Sequence, residues 1–346
     1  MKRFIIAILI LFSLSIPVYA AEITAPEVPE MGKEYMPENT ESFAEGLWSI
    51  MKTAVSALKP ELASACRVCL KISCLGILLS VFQNLEGTAK QGVNLIAVLL
   101  VSNILLSTGN TMIGLANDTV FTISEYGKLL LPVMAATLAA QGGTAGSAAL
   151  YTSTAIFSGV LSKLISNILI PGVYSFLALS VAASATDNKQ LNKLKDTVIG
   201  LARWTLKTLL GLFTGFMTVT GVISGTTDAA TAKLTRTAIS GMVPVVGGIL
   251  SEATESVLIG AGMVKNAAGI YGLLAAAAVC IAPFIQIGVQ YLLLKATGIF
   301  CELFAGKQVS QILHDYSGAM GLLLGMTGGC TMLLTISIIC FMKGMA

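Results

Sequence analysis

Charge is scarce in this sequence. Only 11% of its 346 residues are Asp, Glu, Lys or Arg, against about 25% in an average soluble domain. So few charges cannot cover the surface of a soluble protein of this length, but they suffice if most of that surface meets lipid. Histidine occurs once, as His314, so no HExxH zinc-protease motif can be written. Its neighbour Asp315 completes a His–acid pair, yet no Ser or Cys stands in a nucleophile motif to use it. No glycine-rich loop is followed by Lys-Ser/Thr, which removes the usual nucleotide cradle. The net charge is +3, without a basic stripe interleaved with aromatics, so nucleic acid is not an expected partner. An enzyme is not expected, and nothing in the sequence requires a cofactor or metal.

Apolar residues supply what charge does not. They make up 55% of the chain, and the mean hydropathy is +0.83. The 34 glycines fit helices that pack closely in lipid. Seven cysteines are present. Cys66, Cys69 and Cys74 resemble a metal cluster in spacing, but they lie in an apolar run, where Cys acts as a small hydrophobe.

The N-terminus reads as a signal peptide over residues 1–20. Lys2 and Arg3 are its basic start, Phe4 to Leu14 its apolar centre, and Val18-Tyr19-Ala20 its small-residue cleavage site. Residues 21–61 then hold eight glutamates against three lysines, which suits the extracytoplasmic side. Pro26, Pro29 and Pro37 predict an extended or disordered first half. Phe43, Leu47, Ile50, Met51, Val55 and Leu58 recur at helical spacing, predicting an amphipathic helix on the outer membrane surface.

Residues 62–346 read as a polytopic membrane domain. Apolar stretches at 62–82, 92–116, 153–184, 203–225, 267–294 and 318–342 are each long enough to span a bilayer at roughly 20 residues. Two further pieces are interrupted: Leu129 to Leu150 by Pro132 and Gly142-Gly143, and Gly241 to Gly262 by Pro244 and Gly247-Gly248. Both predict broken or re-entrant helices, so the fold class is all-α with six to eight spans. Lys189, Lys193, Lys195, Arg203 and Lys207 outnumber Asp187 and Asp196, which places a loop over residues 187–207 in the cytoplasm.

An internal duplication is expected, with repeats at 92–203 and 204–315. Pro132 and Pro171 are 39 apart, as are Pro244 and Pro283, and one offset of 112 (244 − 132; 283 − 171) relates both pairs. Transporter folds contain such repeats, and matched interrupted helices mark their functional region. Pro132, Gly142, Gly143, Pro244, Gly247 and Gly248 are therefore candidate gate or packing residues. Charges within apolar runs are the other candidates, because burying them is costly. They are Glu125 with Lys128 and Glu252 with Glu255, each pair three apart on one helix face, with Arg67, Lys71 and Lys163 inside or beside spans. Snorkelling or local pairing accounts for them more readily than ion coupling does.

Several of these features together resemble the stage III sporulation protein AE family of endospore-forming bacteria. They are the cleavable signal with its acidic outer segment, Tyr126-Gly-Lys-Leu-Leu-Leu-Pro132 running into Gln141-Gly-Gly-Thr-Ala-Gly-Ser-Ala-Ala149, and Gly241-Met-Val-Pro244-Val-Val-Gly247-Gly248. The resemblance covers most of the mature chain, although the outer segment is short for the family. It implies a multi-pass protein of the mother-cell membrane around the forespore. Such a protein would be a subunit of a channel or secretion-like complex, with other stage III sporulation proteins and the lipid bilayer as partners. A self-contained secondary transporter and a membrane scaffold without a permeation path are the competing readings.

Overall fold

A computed structural model describes residues 26–37, 42–82, 87–140, 144–186, 188–219 and 267–344. The chain is all-α, and no strand occurs among the described residues. The helices are α1 (Glu30–Lys33), α2 (Phe43–Ala57), α3 (Lys59–Ser80), α4 (Gly87–Ala140), α5 (Thr144–Leu164), α6 (Ile170–Thr186), α7 (Lys189–Val219), α8 (Ala267–Phe304) and α9 (Lys307–Gly344). A π-helical turn, Ile165–Leu169, joins α5 to α6.

Among the described residues, five helical stretches are long and apolar enough to cross a membrane: Lys59–Ser80, Gln91–Ala136, Tyr151–Thr186, Gly269–Phe304 and Lys307–Met342. The expected span at 203–225 falls on α7, which is not among them. The helix carries Lys189, Lys193, Lys195, Asp196, Arg203 and Lys207, and residues 220–225 lie outside the described residues.

α8 and α9 form an antiparallel hairpin and make the most extensive helix pair. Their apolar windows are 67% buried, against 17% for α3. The hairpin is therefore the core of the bundle, and α3 is a peripheral helix touching it on one side. Glycine spacing accounts for the hairpin's neighbours. A Cβ on Gly321 would come within 3.3 Å of Tyr291 on α8, and one on Gly325 or Gly329 within 3.4 or 2.9 Å of Leu206 or Leu210 on α7. This ladder of glycines on α9 thus receives helices of the same chain, as small residues do in lipid-embedded bundles.

Three expectations need correction. Residues 30–33 are helical rather than extended or disordered. Pro29 starts α1, Val28 and Gly32 are buried, and a Cβ on Gly32 would lie 3.1 Å from the Val279 backbone nitrogen of α8. The predicted helix at 43–58 forms, with the Ser42 hydroxyl accepting from the Glu45 amide. It buries Phe43, Ile50 and Ala54 within the bundle, packing on α8, and leaves Trp48, Met51 and Val55 exposed. Pro60 lies in the first turn of α3.

The predicted loop at 187–207 is the second difference. Only residues 187 and 188 separate α6 from α7, where the Asn188 side chain accepts from the Gln190 amide. The lysines are helical because Lys195, Ile199, Ala202, Leu206 and Phe213 fall on one buried stripe. Pro132, lastly, does not break its helix: α4 runs through it to Ala140. Proline is tolerated inside membrane helices where neighbouring groups satisfy the freed carbonyl.

Candidate functional site

A buried polar cluster joins three helices. Lys195 of α7 is 1% exposed, and its Nζ lies 2.7 Å from Oδ2 of Asp315 on α9. The Ser180 hydroxyl of α6 donates to the same oxygen at 2.5 Å. Gln311, one turn before Asp315 on α9, donates through Nε2 to Oδ1 at 3.1 Å. The carboxylate therefore receives three side-chain donors from three helices. Burying an ion is costly unless it is paired and its remaining lone pairs are satisfied, and this arrangement meets both conditions.

Local sequence accounts for the convergence. On α6, Val173, Phe176, Leu177, Ser180, Ala183 and Ser184 form the buried face, so Ser180 is a small polar gap in an otherwise apolar stripe. On α7 the stripe that buries Ile199 and Leu206 begins with Lys195. α9 delivers Asp315 between Ile312 and Ala319, both fully buried. Ser184 lies one turn beyond Ser180, and its hydroxyl is buried without a hydrogen bond among the described residues. A second polar patch lies on α8: Lys295 Nζ donates to the Tyr291 hydroxyl at 3.3 Å and stands 5.5 Å from that ring's centroid. The nearby Gln290 side-chain nitrogen is buried without a described partner.

The geometry does not assemble a Ser–His–acid triad. Ser180 donates directly to Asp315, while His314 turns toward Gly298 of α8, where a Cβ would meet its ring at 3.4 Å. The cluster is an ionic tie that joins α6, α7 and α9.

Of the thirteen candidates read from the sequence, Arg67, Lys71 and Lys163 are exposed on α3 and α5, and the other ten are distributed as follows. Pro132 is exposed within α4. Glu125 and Lys128 pair with each other at 2.5 Å on an exposed face of α4. Gly142, Gly143, Pro244, Gly247, Gly248, Glu252 and Glu255 lie outside the described residues. Neither Lys195 nor Asp315 is among the thirteen. In the sequence Lys195 reads as a loop cation, and Asp315 as half of a His–acid pair. The signal that marks them is the helical spacing from Lys195 to Ile199, Ala202 and Leu206, which places a cation on an apolar stripe.

Among cysteines, Cys69 is buried while Cys66 and Cys74 are exposed. No group of His, Cys, Asp and Glu suited to a metal occurs among the described residues.

Comparison with known proteins bears on most of the chain. A family model described as Stage III sporulation protein AE matches residues 31–344. The Stage III sporulation protein AE of Bacillus subtilis (strain 168) is 26% identical over 210 residues, which cover 60% of this chain and 52% of the relative. The match thus spans about half the length of that relative. No solved structure matches.

Proposed function

This chain belongs to the stage III sporulation protein AE family, and from that premise we propose that it is a membrane subunit of a channel or secretion-like complex between mother cell and forespore. The observation that carries the reading is the family match over residues 31–344, together with five apolar helices suited to crossing a membrane. The partners are the other stage III sporulation proteins of that complex, in the mother-cell membrane surrounding the forespore. The protein has no chemistry of its own in this reading, so any energy for transport comes from a partner.

The topology proposed with it puts a cleaved signal at residues 1–20 and residues 22–60 outside the cytoplasm, with the α6–α7 connection inside. The packing supports opposite placement of the last two. Leu58, between α2 and α3, packs against Ala282, whereas Asp315, which binds Lys195, is next to His314 at the level of Gly298. Along α8 those levels are about 24 Å apart at 1.5 Å per residue.

Pro132, Gly142, Gly143, Pro244, Gly247 and Gly248 are the proposed gate or packing positions, and Glu252 with Glu255 the proposed intramembrane charges. The duplication remains part of the proposal: superposing about 92–184 on 204–296 should bring Pro132 and Pro244 together. Replacing Gly142 and Gly143 together by Leu tests the reading. Steric overpacking there, of roughly 1–3 kcal/mol, should abolish assembly or late spore development while the protein still inserts. Intact sporulation after deletion of the gene, or substrate turnover by the purified protein alone, would refute it.

A further inference from the structure

α3 carries two cations where a membrane helix should carry none. Arg67 and Lys71 are exposed, and neither has an acidic partner among the described residues. They lie near the middle of the helix Lys59–Ser80, about 12 Å from its start and about 13 Å from its end at 1.5 Å per residue. That depth is beyond comfortable snorkelling to lipid phosphates when the helix spans the hydrocarbon.

They also point away from their own bundle. Cys69, Ile72 and Gly76 are the buried face of α3. Cys69 contacts Thr297, and a Cβ on Gly76 would meet Ala305 and Cys301 at 3.2 Å, so this face lies on α8. At 100° per residue, Arg67 and Lys71 are about 160° and 200° round the helix from Cys69. Leu70 and Leu78, both 63% exposed, and the exposed Cys74 share that outer half. The surface is thus an apolar helix face with two cations four residues apart, unneutralised among the described residues, on the least buried of the described spans.

We propose that this face of α3 docks a membrane-spanning helix of a different polypeptide, one that presents an Asp or Glu carboxylate to Arg67 and Lys71. The proposal rests on the subunit reading above and names the chemistry of one partner. Charge complementarity selects the occupant. Lipid tails offer no anion at this depth, and symmetric packing of α3 against α3 of a second copy would oppose cation to cation. The carboxylate neutralises both charges, and Leu70 and Leu78 supply apolar contact beside it.

Two variants of the full chain, expressed in sporulating cells, test this. Arg67→Leu with Lys71→Leu removes the burden on insertion, so membrane levels should equal or exceed the native level. The larger assembly extracted in mild detergent should nevertheless disappear. Treating native membranes with dicyclohexylcarbodiimide should form an amide between Lys71 Nζ and the partner's carboxylate, the reagent taking up the water released. Mass spectrometry should locate that link in a spanning segment of another protein. Lys71→Arg keeps the charge but cannot form the amide, so it should keep the assembly and lose the link.

Three results overturn the proposal: an assembly that survives the double leucine change, no Lys71 link in native membranes, or a link to Glu252, Glu255 or a second copy of this chain. A native chain that migrates alone would refute the subunit reading itself, and this proposal with it. A native assembly that tolerates the double change refutes only this proposal.

Discussion

Lys195 and Asp315 are 120 residues apart in sequence and 2.7 Å apart in space. Their energetics are asymmetric. A buried pair contributes little net stability against a well-packed apolar replacement, but removing one partner strands the other and costs about 3–5 kcal/mol. Lys195→Met should therefore lower the thermal midpoint in detergent sharply, whereas Lys195→Met combined with Asp315→Leu should recover most of the loss. Ser180→Ala removes one hydrogen bond to a charged group and should cost about 1.5–3 kcal/mol. If the double variant were no more stable than Lys195→Met alone, the tie would not be the source of the effect. None of this pairing is legible in the sequence, because nothing local tells α7 which acid it will meet. Lys195 is nonetheless readable as unusual, since it keeps step with Ile199, Ala202 and Leu206. Counting lysines as loop markers conceals that phase.

Glycine shows at the level of elements what spacing can and cannot say. Gly211 and Gly215 on α7 have the same four-residue spacing as Gly321, Gly325 and Gly329 on α9. The α9 glycines meet Tyr291, Leu206 and Leu210, while a Cβ on Gly211 or Gly215 meets nothing within 4 Å. Gly211→Ala should accordingly leave the stability of the isolated chain within about 0.5 kcal/mol of native. Gly329→Ala must displace Leu210 and should be measurably less stable. Gly32→Ala is the harsher change, because Val279 opposes it with backbone as well as side chain. A loss of about 1–3 kcal/mol from overpacking is expected there, read as faster proteolysis of residues 26–37 in folded, inserted protein. The apolar helices are legible because hydrophobic runs of that length do not stay in water. α1 is not, since three prolines outweigh the one glycine that lets it approach α8. Pro132 misleads for a related reason: the rule that proline ends helices belongs to water, and α4 continues past it.

For the whole molecule, the sequence conveys the all-α class and the family, because both are written in long stretches of chain. The arrangement of helices about the α8–α9 hairpin depends on contacts between distant segments and had to be observed. The proposed sidedness can be checked with cysteines placed at Asn39 and Asn192 and an impermeant reagent on intact membranes. Only the first should be labelled, and labelling of Asn192 alone would invert the topology.

The length of α9 bears on the same geometry. Its 38 residues make a rod of about 57 Å at 1.5 Å per residue, against a hydrocarbon layer of about 30 Å. Fitting the rod inside that layer needs a tilt of nearly 60°, beyond the usual limit of about 40°. At an ordinary tilt of about 20°, some 9 Å stands clear even of both headgroup layers. The hairpin is then a gauge as well as a core: a stiff post of fixed height that sets how far the bundle reaches beyond the bilayer surface.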